Sequence, residues 1–155
     1  MKNVLRIIPW NKCFLLSFSL LPLIVITGFY GLYTNKFYFL KIDNYIFAFL
    51  VLIHVYFLNS LLRADRDNSI PLNSLRTIEF AMYAILPVYL FKMAETLYVL
   101  LTYFDYSEHV FPPTFLPVGI LILLMQALLI LLTLTTFQHR RDRLGPYRYD
   151  RINEL

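Results

Sequence analysis

The chain has 155 residues, of which 59% are hydrophobic, 17% aromatic and only 15% charged. Soluble domains carry about a quarter charged residues and roughly 45–50% apolar ones. This balance excludes a disordered chain and a water-soluble core-and-shell domain, and it points to an integral membrane protein. The net charge of +4 takes its meaning from where the basic residues fall. A single cysteine, Cys13, provides neither an intrachain disulfide nor a cysteine-based zinc site.

The chain opens with Lys2, Arg6 and Lys12, and a charge-free stretch follows over 13–33. It is too long for the apolar core of a typical signal peptide. Thr34, Asn35, Lys36 and Phe37 come next rather than a small-x-small cleavage site, so the segment is expected to stay attached. Further apolar stretches cover 45–62, 78–104 and 114–137. About 20 helical residues at 1.5 Å each cross a hydrocarbon layer of roughly 30 Å. The sequence therefore predicts an all-α integral membrane protein, a four-transmembrane-helix bundle forming one domain over 1–155. The fourth helix is expected to run on to Leu144, where Gly145 and Pro146 stop it.

Orientation follows from the lysines and arginines. Eleven flank one side: Lys2, Arg6 and Lys12, then Arg63, Arg66 and Arg76, then Arg140, Arg141, Arg143, Arg148 and Arg151. Lys36 and Lys41 flank the other, and Lys92 lies inside the third span. By the positive-inside rule the N-terminus, the C-terminus, the loop 63–77 and the tail 138–155 are cytoplasmic. The plasma membrane, most simply a bacterial inner membrane, is the expected location. Tyr30, Tyr33, Tyr38 and Tyr45 surround the first outer loop and Tyr98, Tyr103 and Tyr106 the second, while Trp10 marks the inner interface.

In lipid, small and polar side chains let helix backbones approach, whereas bulky apolar ones face acyl chains. At 100° per residue the third span places Ala81, Ala84, Ile85, Val88, Lys92, Glu95, Thr96, Val99 and Thr102 on one face, expected to point into protein. Phe80, Tyr83, Leu86, Leu90, Leu97, Tyr98, Leu101 and Phe104 lie opposite. Gly119, Gln126 and Thr133 form a seven-residue stripe on the fourth span. The helix-packing positions are thus Ala81, Ala84, Val88, Thr96, Gly119 and Thr133.

His54, Lys92, Glu95 and Gln126 fall near the middle of three spans and form an intramembrane polar layer. Charge at that depth costs several kcal/mol, and opposite charges three residues apart offset part of it. Two readings stay open: an ion, proton or ligand site, and a set of internal bonds that fix helix register. His54 has no second ligand-type residue on its helix face, so a neutral imidazole bonded to an oxygen is expected rather than a metal ligand.

The loop begins RADRD at Arg63, and the tail interleaves arginine, aspartate and tyrosine. Arg63, Arg66, Arg140, Arg141, Arg143, Tyr147, Arg148, Tyr149 and Arg151 suit protein docking through planar hydrogen bonding and rigid area. A solvated topology signal accounts for the same charges. No GxSxG, HExxH or glycine-rich phosphate loop occurs, and nothing calls for a cofactor, a metal or a nucleic acid.

The expectation is a non-enzymatic, homo-oligomeric membrane subunit that docks a cytosolic protein. An oligomeric ion or proton channel built on Lys92, Glu95 and His54 is the alternative. In outline the chain resembles the small four-span membrane sensors of bacterial two-gene immunity systems. The likeness is architectural, and it implies a cytosolic effector as partner.

Overall fold

A computed structural model describes residues 8–67, 72–105 and 111–145. Four helices account for most of them: α1 (Trp10–Gly28), α2 (Ile42–Asp67), α3 (Leu72–Asp105) and α4 (Phe115–Leu144). All four are long and apolar enough to cross a membrane. Even α1, at 19 residues, is about 28 Å long. The helices alternate in direction and form a ring, each packing on its sequence neighbours, with α1 closing on α4. One end of the bundle therefore carries the start of α1 and the end of α4. The other carries the loop between α1 and α2.

The helices outrun the apolar stretches that predict them. α2 continues to Asp67 and α3 begins at Leu72, because a helix has no reason to stop where its side chains become polar. α4 does end at Leu144, with Gly145 at φ 75°. The first span is shorter than its 13–33 expectation: α1 stops at Gly28, and Tyr30–Gly31 (β1) pairs antiparallel with Lys36–Phe37 (β2). The turn places Asn35 at φ 52°, and Asn35 N–H donates to Gly31 O at 2.9 Å. A Cβ at Gly31 would meet the Tyr38 ring at 2.5 Å, so a larger residue there would have to displace that ring as the hairpin folds back. The Tyr33 and Thr102 hydroxyls share a 2.7 Å hydrogen bond that pins this hairpin to α3.

α1 and α4 meet through small polar groups. Thr133 and Thr136 satisfy their own hydroxyls by donating to Leu129 O and Leu132 O one turn back, both at 2.8 Å. That leaves a shallow surface on which fully buried Cys13 rests, its Sγ 3.4 Å from Thr136 Oγ1. Gly119 and Thr133 are buried.

α3 is turned differently from expectation. Its buried residues are Leu75, Glu79, Met82, Ile85, Tyr89 and Leu100. This face lies roughly a quarter turn from the small and polar one, at 100° per residue. Ala84 and Glu95 are exposed, and Ala81, Val88, Lys92 and Thr96 are half-buried. The reason is volume. Met82, Ile85 and Tyr89 fill the space between α2 and α4 that alanines would leave empty, and Glu79 has to reach Arg140. Elsewhere large apolar side chains such as Leu15, Phe49, Phe91 and Leu124 project outward from every helix.

Candidate functional site: a polar pocket and an ionic clasp at opposite ends

Lys92, Glu95 and Gln126 do converge. They line a cavity of about 270 Å³ in the half of the bundle nearest the hairpin, and all four helices contribute to its wall. Lys92 and Glu95 sit three residues apart on α3, and Lys92 Nζ donates to Glu95 Oε2 at 2.8 Å. Gln126 reaches in from α4, and its buried Oε1 has no hydrogen-bond partner. Asn44, buried in the first turn of α2, adds a second carboxamide. Lys41, just before α2, stands exposed at the rim, and the hairpin supplies Tyr30 and Tyr33. The Tyr30 hydroxyl bonds to the Asn35 side chain, which holds that wall in place. Ile24, Phe47 and Ile122 make the apolar part.

His54 does not line this cavity. Tyr89 shares with Lys92 and Gln126 a cleft too small for a water, and its hydroxyl lies 3.1 Å from His54 Nδ1. Both residues are buried, so the histidine is held by a side-chain oxygen, the bonding expected for a neutral imidazole. Beyond it the interior carries no charged group until Glu79 and Arg140: Phe57, Leu58, Leu61, Met82 and Leu132 are each 0% exposed beside the small hydroxyls of Thr133 and Thr136. Lys92, Glu95 and Gln126 therefore line a pocket, and a packed interior without charges separates it from the opposite end. Among the described residues no group of three His, Cys, Asp or Glu could hold a metal.

The opposite end holds an ionic clasp absent from the sequence-based site. Glu79 is 1% exposed and Arg140 7%. Arg140 Nη2 donates to Glu79 Oε1 at 2.5 Å, and Tyr83 O–H donates to the same oxygen at 3.1 Å. Arg140 Nη1 reaches Gly145 O at 3.1 Å, satisfying a carbonyl just past the end of α4. The only signal in the sequence is a carboxylate in the first turn of a predicted span, 61 residues from its partner. Arg140 therefore turns inward and does not stand free as a docking residue.

Beside the clasp, Asp65 gathers three helices. Trp10 Nε1 donates to its Oδ2 at 3.1 Å, and Arg143 Nη1 donates to both carboxylate oxygens at 3.1 and 3.0 Å. The Arg143 guanidinium also lies 5.0 Å from the centre of the Trp10 ring, within cation–π range. Arg63, Arg66 and Arg141 are exposed at this end with Arg143. Tyr147, Arg148, Tyr149 and Arg151 lie outside the described residues.

The chain matches no protein-family model, no curated protein and no solved structure.

Proposed function

We propose that the chain is a multi-pass membrane protein with both termini in the cytoplasm, and that it serves as a non-enzymatic subunit docking a cytosolic protein. The alternating helices bring Lys12, Arg63, Arg66, Arg76, Arg141 and Arg143 to one end and leave Lys36 and Lys41 at the other. That asymmetry supports the orientation. The observation that carries the docking role is the fixing of Arg143 by Asp65 and Trp10. A topology signal needs charge but no fixed geometry. Here exposed arginines are mounted on two helices that an aspartate and a tryptophan join, giving a shaped basic surface for an acidic partner face. Self-association belongs to the same proposal. The small residues Ala81, Ala84 and Val88, left at the flank of α3, offer a close-approach surface to a second helix.

Orientation is testable with single cysteines in a Cys13→Ser background, since burial of Cys13 against Thr136 makes serine a close replacement. Lys36→Cys should react with an impermeant maleimide on intact cells, and Arg141→Cys only after permeabilisation. The reverse pattern would overturn the orientation.

Docking is tested by co-purification of soluble proteins. Removing 138–155 would also remove Arg140, so the informative variants end after Gly145 or carry Arg63→Glu with Arg141→Glu. Each should lose the soluble partner while the detergent-purified bundle keeps its melting temperature. Undiminished recovery in both would defeat the docking reading.

A further inference from the structure

The pocket near the hairpin belongs to the end remote from the docking surface, and its chemistry specifies a ligand. Two ammonium groups, Lys41 and Lys92, face one carboxylate, Glu95, so the lining carries one formal positive charge in excess. Among the described residues the side-chain bond of Lys92 goes to Glu95, and an ammonium has three donors, so Lys92 retains donors for a second acceptor. Lys41 at the rim has none of its charge offset by a neighbouring carboxylate in the lining. The buried Gln126 oxygen needs a donor, and leaving such a group unmet costs free energy. A matching ligand is thus a monoanion that also donates hydrogen bonds.

Size and placement narrow the class. About 270 Å³ is just below the ~300 Å³ floor of typical small-molecule pockets, so a headgroup-sized ligand fits and a drug-sized one does not. The apolar wall of Ile24, Phe47 and Ile122 suits the carbon skeleton beside the charge. Phe37, Phe39 and Leu40, in the same loop as Lys41, are exposed, Leu40 at 98%, as suits a segment lying against lipid. A phosphomonoester carries about −1.5 to −2 at neutral pH and would overcompensate the lining. A phosphodiester carries a single negative charge and balances it.

We propose that this pocket binds a hydroxyl-bearing phosphodiester of the glycerophosphoglycerol type, its phosphate between Lys41 and Lys92 and its hydroxyls on Gln126 and Glu95. The source is either the headgroup of an anionic phospholipid or the free soluble diester. The inference uses the bilayer placement proposed above but not the docking role.

The test uses the full chain in phosphatidylcholine nanodiscs, with and without phosphatidylglycerol, and with added glycerophosphoglycerol. Thermal stabilisation by either addition supports the site. Stabilisation by phosphatidylglycerol alone assigns a lipid, and by the free diester alone assigns a soluble ligand. Lys41→Gln, at an exposed rim position that leaves the core intact, should weaken the effect roughly tenfold or more through loss of a charged hydrogen bond. Lys92→Gln should do the same, and the variant ending after Gly145 should respond like the parent. No response to either addition, or an undiminished response in Lys41→Gln, overturns the proposal. Undiminished partner capture in both docking variants, with the lipid response intact, would defeat docking alone.

Discussion

Glu79→Ala should destabilise the detergent-purified protein by roughly 3–5 kcal/mol, the cost of leaving a buried ion without its partner. Arg140 is 7% exposed and bonds to Glu79 and to the backbone of Gly145, so removing Glu79 leaves its guanidinium buried beside an empty position. The measurement is the temperature at which the monodisperse fraction falls by half. Glu79→Gln should fall between the parent and alanine, because an amide still accepts from Arg140 but without the charge. Tyr83→Phe removes one hydrogen bond to the carboxylate and should cost only about 1 kcal/mol. The decisive comparison is Glu79→Leu with Arg140→Met. A buried pair exchanged for apolar side chains of similar size is often neutral or better, so the double variant should recover most of the loss. A single variant as stable as the parent would show that the pair is dispensable.

That clasp also explains why the rotation of α3 could not be read from its own sequence. Four spans are legible because a hydrocarbon layer demands a run of apolar residues, and 45–62 or 114–137 has no other use. The end of α4 is legible because Gly145 and Pro146 act locally. The inward face of α3 is a tertiary choice. Lys92, Glu95 and Thr96 look inward by polarity and do reach a pocket, but from the flank of the helix. What sets the rotation is Glu79 meeting Arg140 and Tyr89 meeting His54, contacts spanning 61 and 35 residues. The C-terminal limit of α1 was hidden for a related reason. Phe29 to Tyr33 are uncharged like the stretch before them, and it is the Asn35 turn and the closeness of Tyr38 to Gly31 that bend them into a hairpin. The pocket was half legible: Lys92, Glu95 and Gln126 were, but Lys41 and Asn44 enter from the loop and the first turn of α2.

Gly119→Leu should be the most damaging change at the α3–α4 contact. A Cβ built there lies 2.5 Å from Leu100 Cδ2 and 3.3 Å from its Cγ, closer than such atoms pack. Leu100 is 6% exposed, so its terminus can turn aside for one methyl but not for a whole leucine side chain. Within a bilayer helices gain nothing from hiding apolar surface from lipid, so their association rests on close van der Waals packing. A leucine at 119 would push α3 from α4 at a cost of roughly 1–3 kcal/mol, typical of overpacked cores. Gly119→Ala separates sterics from backbone preference. Its methyl asks only for a shift of one leucine terminus, while replacing glycine inside a helix returns about 1 kcal/mol of helix propensity. Alanine should therefore come out close to neutral and leucine clearly destabilised, by the same thermal assay. Leu100→Ala combined with Gly119→Leu should restore much of the loss, because each change vacates what the other fills, and contacting residues couple by about 0.5–3 kcal/mol. The pocket reports the same event. Val99 and Ile122 line it from the two helices that Gly119 holds together, so spreading them should weaken the lipid response in step with stability. If Gly119→Leu melted with the parent and responded to phosphatidylglycerol equally, α3 and α4 would not be held by close approach at this point.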